Sequence, residues 1–292
     1  MTIESRPQLK ILHGISGAKQ ATGLAVVIDV FRAFSVACYA FEQGVERIIP
    51  VADVETAFQL KEQMPDVVLV GERKGRKIAG FDMGNSPTAI LKANLSGKTM
   101  VHTTSNGTQG IANAKQATQI MTGSFVNAKA IADYIRTNAI SDVSLVCMGN
   151  GSQQAIEDTL CAEYIRDLVA GQPTNVDHIR ETIRRSQSAS RFFDPTREEA
   201  PESDLELCLD ANRYPFVLPV QPDDQHTPLK VTRRKGHDFV VIGADDSERE
   251  QETLYVLQNR YLMDQITNSL QTLSTGKGYS PTQEQLNEIL SV

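Results

Sequence analysis

A carboxylate and a guanidinium stand three residues apart where an apolar run ends. The predicted strand Leu24–Val30 contains Asp29, and Arg32 follows it. Carboxylate oxygens suit Mg²⁺, and an arginine can form two parallel hydrogen bonds with a phosphate. Because ligands of open α/β sheets bind beyond the carboxyl ends of strands, this pair is well placed for chemistry. The alternative is that Asp29 and Arg32 only cap the following helix.

A second polar block combines acids with a dense set of cations. Glu72 precedes four cations within five positions, and Asp82 follows them. The cations are Arg73, Lys74, Arg76 and Lys77. Such a group would attract an anion to an otherwise acidic protein, although a solvated turn is the other interpretation. Farther on, Asn85 precedes Ser86, which suits a helix N-cap whose neighbouring amides could accept an anion.

A third block of small polar residues follows the predicted strand Thr99–Thr103. It reads Thr103, Thr104, Ser105, Asn106, Gly107 and Thr108. Hydroxyls, an amide and the backbone freedom of glycine suit a tetrahedral oxyanion, so this is the candidate phosphate-binding loop. We expect the neighbouring His102 to be a structural residue more than a general acid.

A fourth block places two adjacent acids, Glu157 and Asp158, near the second turn of the predicted helix Ser152–Ala170. One of them could face a cleft and hold a metal ion or a water molecule. The alternative is two solvated acids that favour the helix N-terminus. The preceding glycines imitate a dinucleotide-binding motif, but Gln154 stands where the third glycine should be.

Composition excludes several classes of protein. The 292 residues carry a net charge of −7, which weighs against general nucleic-acid binding. The N-terminus lacks a signal-peptide core, and no apolar run approaches the roughly 18 residues of a membrane span, so we expect a cytoplasmic protein. The four cysteines are far apart, which predicts reduced, mostly buried thiols and no zinc site. No Walker, nucleophile-elbow or zinc-peptidase motif is present.

Short apolar runs alternate with helical stretches up to about residue 245, which predicts an α/β fold. The other predicted strands are Lys10–His13, Arg47–Pro50, Val67–Gly71, Gln119–Met121, Val143–Met148 and Phe239–Gly243. The other predicted helices are Ala33–Gln43, Val54–Gln63, Ser86–Ala93, Gly107–Lys115 and Asn127–Thr137. Between Ser186 and Pro228 we expect long loops around one strand, Leu205–Leu209.

Beyond Asp246 the pattern becomes that of amphipathic helices, so we predict a helical extension over residues 246–292. An apolar helix face must pack somewhere. It either docks on the main domain, residues 1–245, or forms a homodimer.

In this order, the blocks resemble the 2-phosphosulfolactate phosphatase family, often called ComB, over roughly residues 8–243. The resemblance implies Mg²⁺-dependent hydrolysis of (2R)-2-phospho-3-sulfolactate to 3-sulfolactate and phosphate, a step towards coenzyme M. The fold expected is ComB-like, with parallel or mixed sheets covered by helices. It would have two similar α/β lobes that divide near residue 140, with the active site between them.

We therefore assign roles to the polar blocks. Catalytic residues are expected to be Asp29, Arg32, Glu72 and Asp82. Substrate and phosphate would be bound by Arg73, Lys74, Lys77, Asn85, Ser86, Thr103, Thr104, Ser105, Asn106, Gly107 and Thr108. Candidate metal ligands are Asp29, Asp82, Glu157 and Asp158.

One residue departs from the family pattern, because Phe34 stands where a small hydroxyl residue is usual. If Phe34 faces the site, it narrows the pocket. Two alternatives follow. The chain could hydrolyse another phosphorylated hydroxy acid, or it could be a non-catalytic protein that binds a phosphorylated ligand and interacts through its helical extension.

Overall fold

Short apolar runs form strands and the segments between them form helices, as an alternating α/β pattern requires. The structure is a computed structural model that describes residues 7–149, 153–221 and 230–232. The strands are β1 (Gln8–His13), β2 (Leu24–Ile28), β3 (Arg47–Pro50), β4 (Val68–Arg73), β5 (Arg76–Lys77), β6 (Thr99–Thr103), β7 (Gln119–Gly123), β8 (Asp142–Cys147), β9 (Leu218–Gln221) and β10 (Lys230–Thr232). The helices are α1 (Gly14–Gln20), α2 (Ala33–Glu42), α3 (Val54–Gln63), α4 (Pro87–Lys92), α5 (Gly107–Asn113), α6 (Ala128–Thr137), α7 (Ile156–Ala170), α8 (Val176–Arg184) and α9 (Glu202–Cys208).

The described strands form one mixed sheet in the order β1-β8-β2-β7-β9-β10-β3-β6-β4-β5. One parallel group contains β1, β8, β2 and β7, and a second contains β3, β6 and β4. The antiparallel strands β9 and β10 join the two groups. The α/β fold with a mixed sheet is thus confirmed. A division near residue 140 does not correspond to these groups, because β8 pairs between β1 and β2.

Strand β2 and helix α2 position the first catalytic block. Alternate residues of β2 belong to different cores, with Val27 in one and Val26 in the other, as expected for a parallel strand covered on both faces. Every residue of α2 from Ala33 to Phe41 is buried, so the helix is surrounded by protein on all sides. Its core includes Val27 from the first strand group and Val70 from the second. The loops after β2 and β6 consequently meet beside α2.

The predicted strand Leu205–Leu209 is wrong, because this segment belongs to α9 and its C-cap. Alternating leucines suggested a strand. The residues that are actually buried, Leu205, Cys208 and Leu209, have the i, i+3, i+4 spacing of a helix. Pro201 is the N-cap of α9 and Glu202 lies in its first turn.

The four cysteines are free and buried, in agreement with the prediction from their spacing. Within the described ranges, no helix combines the length and apolarity that a membrane crossing needs. The predicted strand Phe239–Gly243 and the predicted helical extension over 246–292 lie outside the described residues.

Candidate active site

A cleft of about 770 Å³ opens where β2, β4, β6 and β8 end. One wall comes from the loops that follow these strands, and it contains Asp29, Arg32, Glu72, Lys74, Asn85, Ser105, Asn106, Glu157 and Asp158. The other wall comes from the segment between residues 186 and 200, and it contains Ser188, Arg191, Arg197 and Glu199. Acids and cations that are distant in sequence are therefore brought together.

Asp29 lies at the bottom of the first wall and is 6% exposed. Its Oδ1 accepts a hydrogen bond of 3.2 Å from the backbone N–H of Ala33, the first residue of α2. The pKa of Asp29 is raised from 3.8 to about 7, mainly by burial and also by the charge of Glu72, while the hydrogen bond from Ala33 and the charge of Arg191 oppose the shift. A carboxyl group with such a pKa can exchange a proton near neutral pH.

Asp158 and Glu157 lie beside Asp29 at the start of α7. Asp158 accepts hydrogen bonds of 2.8 Å from the backbone N–H groups of Val30 and Gly149, which fixes it between the loops after β2 and β8. Burial raises its pKa well above the usual range, and the charges of Asp29 and Glu157 add to the shift. Burial also raises the pKa of Glu157, whose carboxylate accepts a hydrogen bond of 2.6 Å from Ser188 Oγ.

The burial of these three carboxylates favours a positive charge beside them. Each is destabilised as an anion by burial, and Asp158 by the charges of both others, so a bound cation would stabilise all three. Within the described residues, no three or more His, Cys, Asp or Glu side chains form a complete metal site. Mg²⁺ does not need one, because it binds through one or two carboxylates, retained waters and substrate phosphate oxygens.

Arg32 lines the cleft but is also held in a buried ion pair. Its Nη1 donates to Asp204 Oδ2 at 2.5 Å and to the carbonyl of Glu199 at 2.6 Å. Asp204 is fully buried and also accepts hydrogen bonds from Ser86 Oγ at 2.8 Å and from the N–H of Thr88 at 2.9 Å. The ion pair with Asp204 thus connects α9 to the cleft and neutralises part of the charge of Arg32.

Glu72 organises two loops through its carboxylate. Oε1 accepts from the N–H of Ser105 at 2.7 Å, and Oε2 accepts from the N–H of Gly75 at 2.6 Å and from Ser105 Oγ at 3.2 Å. Ser105 Oγ in turn accepts from the N–H of Lys74 at 3.1 Å. The second and third sequence blocks therefore form one connected structure at the rim of the cleft.

The third block contacts Asp29 through Gly107. A Cβ atom at this position would lie 2.8 Å from Asp29 Oδ2 and 2.7 Å from Ala33 Cβ, so only glycine fits. The hydroxyls of Thr104 and Thr108 are used within the loop, since Thr104 N–H donates to Thr108 Oγ1 at 3.0 Å and Thr108 N–H donates to Thr104 Oγ1 at 3.1 Å. Among this block, Ser105 and Asn106 line the cleft.

Several predicted site residues lie elsewhere. Asp82 accepts from the N–H of Leu69 at 2.7 Å and lies 3.5 Å from Lys61 Nζ, so it holds its loop against β4 outside the cleft. The structure therefore does not bring Asp82 together with the acids that line the cleft, and its catalytic and metal-binding roles stay predictions. Lys77 is exposed on β5 and is not part of the cleft lining.

Arg73, Thr103 and Ser86 support the cleft from behind it. Arg73 donates to Thr103 Oγ1 at 2.9 Å and to the carbonyl of Glu72 at 2.8 Å, which joins the ends of β4 and β6. Ser86 is the N-cap of α4 and donates to Asp204. None of these three lines the cleft, so their predicted direct contact with phosphate is not supported.

His102 and Phe34 are structural residues. His102 is 1% exposed, its Nε2 lies 3.0 Å from Asn85 Oδ1, and burial lowers its pKa to about 4. The neutral imidazole therefore donates to Asn85, in line with the structural interpretation. Phe34 is 2% exposed and belongs to the core around α2. It does not narrow the cleft.

The sequence patterns missed the entire wall of residues 186–200 and the buried Asp204. Arg191, Arg197 and Ser188 stand in a segment without periodic apolar residues, so nothing in the sequence placed them near Asp29. The only signal was the density of arginine and aromatic residues around Phe192, which is unusual for a solvated loop.

The comparisons with known proteins agree with these motifs. A family described as 2-phosphosulpholactate phosphatase matches residues 11–223. A protein of Bacillus subtilis named "Probable 2-phosphosulfolactate phosphatase" is 35% identical over 220 residues, which cover 74% of this chain and 95% of the relative. Proteins of the same name from Caldicellulosiruptor saccharolyticus and Thermotoga petrophila are 45% identical over 148 residues and 37% identical over 206 residues. These matches cover 49% and 66% of this chain, and 61% and 87% of the relatives.

The family match includes all the strand-end loops that build the first wall of the cleft. Asp29, Glu72, Ser105, Asn106, Glu157 and Asp158 all fall within it. The chain therefore belongs to the 2-phosphosulfolactate phosphatase family and is a phosphoric monoester hydrolase.

Proposed function

We propose that this chain hydrolyses (2R)-2-phospho-3-sulfolactate to 3-sulfolactate and phosphate with the aid of Mg²⁺, the kind of step that leads towards coenzyme M. The observation that carries the proposal is the cleft itself, in which three buried carboxylates face a set of cations in a chain of this family. The names of the relatives supply the substrate.

The charges in the cleft suit this substrate. 2-Phosphosulfolactate carries phosphate, sulfonate and carboxylate groups, and so it needs several positive partners. Arg32, Lys74, Arg191 and Arg197 line the same cavity. Arginine and lysine attract and orient such oxyanions in a site that is partly shielded from water.

One or two of the carboxylates of Asp29, Glu157 and Asp158 would hold the magnesium ion. What magnesium supplies in phosphoryl transfer is neutralisation of the phosphoryl oxygens and orientation of the attacking group. Gly107 lets the Asn106 loop approach Asp29 closely, and Glu72 holds Ser105 beside it. These contacts fix the phosphate-facing loop relative to the carboxylates before the substrate binds, which lowers the cost of orientation.

The non-catalytic alternative has lost one of its two supports. It depended on Phe34 facing the site and on the helical extension; Phe34 is buried in the core, and the extension lies outside the described residues. The choice between 2-phosphosulfolactate and another phosphorylated hydroxy acid is a question for a substrate panel.

The test is phosphate release from 2-phosphosulfolactate, 2-phospholactate and 2-phosphoglycerate, each with Mg²⁺ and with EDTA. We expect release that depends on Mg²⁺, with kcat/KM at least about tenfold higher for the sulfonated substrate because one charged contact is worth about that factor. Equal rates for all three compounds would mean that the enzyme hydrolyses phosphorylated hydroxy acids in general and does not select the sulfonate. Undiminished release in EDTA would contradict the role of the metal.

A further inference from the structure

Arg191 is the most unusual cation of the cleft. It lies in a single turn of 3-10 helix, Ser190–Phe192, within the wall of residues 186–200. Its Nη2 donates to the carbonyl of Phe31 at 3.0 Å. The guanidinium lies 5.0 Å from the ring centroid of Phe192 and 5.9 Å from that of Phe31. These contacts hold the side chain in one place without using its charge in an ion pair.

The charge of Arg191 lacks a direct partner in the described part of the chain. Its buried Nε has no hydrogen-bond partner there, and the hydrogen bond from Nη2 goes to a neutral carbonyl. Arg32, in contrast, is paired with Asp204. A partly buried guanidinium without a paired anion is costly, and such a group is usually compensated by a ligand or a carboxylate.

Arg191 also lies beside the reacting carboxylates. Arg191, Asp29 and Glu157 line the same cleft. Burial raises the pKa of both carboxyl groups, and the charge of Arg191 opposes that shift. The pKa of Arg191 is lowered first by burial and then by the charge of Arg32, which lines the same cleft, so the two guanidinium groups repel each other. An anion with several oxygens that contacts both would remove this repulsion, and a phosphoryl group has the charge and geometry for two arginines.

We infer that Arg191 binds the phosphoryl group of the substrate beside Asp29. The segment of residues 186–200, which carries Arg191, is then a substrate-facing wall of the cleft. The inference rests on the proposed function for its substrate. It goes further by placing a phosphate-binding residue outside the strand-end motifs. The hydrogen bond from Ser188 to Glu157 and that from Arg191 to Phe31 hold the wall against the loops after β8 and β2.

The test compares Arg191→Gln and Arg191→Lys with the control Arg185→Gln. Arg185 pairs with Glu181 on the exposed surface, just before the wall, and does not line the cleft. Two quantities are measured for each variant: the affinity for inorganic phosphate by calorimetry, and kcat and KM for 2-phosphosulfolactate. Thermal unfolding without phosphate shows which variants are folded.

We expect Arg191→Gln to weaken phosphate binding and lower kcat/KM by about 100-fold. Arg191→Lys should recover part of the loss, because lysine keeps the charge without the planar fork. Arg185→Gln should match the unaltered chain.

Phosphate affinity at the unaltered level in folded Arg191→Gln would overturn the inference. If that variant does not fold, unchanged phosphate affinity and KM in Arg191→Lys would do the same. A chain that binds phosphate through Arg191 but does not hydrolyse 2-phosphosulfolactate would refute the proposed substrate alone.

Discussion

Burial affects Asp29 in two ways. It raises the pKa of the carboxyl group to about 7, and it destabilises the metal-free protein when that group is ionised. Its folded pKa lies above the ordinary value of 3.8, so the ionised form is disfavoured in the folded state as pH rises towards 8. We expect Asp29→Asn to lose turnover by about 1000-fold. In EDTA at pH 8 the same change should raise Tm by about 2 to 5 °C, because it removes a buried charge but keeps the acceptor for Ala33.

The control for this variant is Asp142→Asn. Asp142 is half-buried at the surface and its pKa is lowered by hydrogen bonds from Thr22 and Lys10, so loss of its charge should not stabilise the protein. A rise in Tm in both variants would show that the effect comes from net charge. Near-normal turnover in Asp29→Asn would remove Asp29 from the reaction.

His102 predicts a specific loss of stability in acid. Burial lowers its folded pKa to about 4, below the ordinary 6.5, so the unfolded chain binds a proton that the folded chain does not. The free energy of unfolding that the neutral imidazole contributes is fully present above about pH 6.5. It is lost progressively as pH falls towards 4, and the loss is at most about 3 kcal/mol. Urea unfolding at pH 7.5 and 4.5 should show a smaller loss in His102→Gln than in the unaltered chain. Parallel losses would mean that His102 is protonated in the folded state.

At the scale of single residues, the sequence predicted which residues near strand ends line the cleft better than it predicted what they do there. Asp29, Glu72 and Asp158 line the cleft because strand ends meet at one edge of a parallel group. Asp82 does not, because its loop runs back along β4 and its carboxylate binds the N–H of Leu69. Arg191 was missed, because a contact across more than 150 residues leaves no trace in local spacing.

Among the elements, the start of α5 depends most strictly on one residue. At Gly107 a Cβ would lie 2.7 Å from Ala33 Cβ and 2.8 Å from Asp29 Oδ2, and neither neighbour is a flexible chain end. We expect Gly107→Ala to shift α5 away from α2. The free energy of unfolding should fall by about 1 to 3 kcal/mol and kcat/KM by about 100-fold.

Gly84→Ala is the matched control for this change. Its Cβ would lie 3.4 Å from Lys77 Cβ, which is ordinary contact, so both quantities should stay close to those of the unaltered chain. Full activity in Gly107→Ala would show that the loop can retreat without harm, and that the close approach to Asp29 does not matter for the reaction.

Several elements in which apolar residues recur at a clear period were predicted with the bounds that the structure has. The bounds of β3, β6 and α3 agree with the sequence pattern residue by residue. The run from Leu205 to Leu209 was misread, because five residues fit a strand and a helix equally well and packing against neighbours decides between them. Helix α8 was not predicted, although its apolar residues Val176, Ile179 and Ile183 have the i, i+3, i+7 spacing of a helix.

In the whole molecule, the cleft forms because the two parallel strand groups share the core around α2. Asp29 follows a strand of the first group, whereas Glu72 lies at the end of β4 and Ser105 follows β6, both in the second group. No local pattern predicts that β8 pairs between β1 and β2, because strand order depends on long-range packing. The resemblance to a known family supplied what local patterns could not, namely that the blocks act at one site.

All residues assigned to the site lie between Asp29 and Ala200, and the family match ends at residue 223. We therefore expect a chain that ends at Asp245 to retain the kcat and KM of the full chain. The predicted helices of residues 246–292 would act in association instead, so light scattering of both forms should show a smaller assembly for the shortened chain if they form a homodimer. The same number of subunits in both assemblies would refute a homodimer formed by these helices, and a folded shortened chain without turnover would mean that residues after Asp245 contribute to the site.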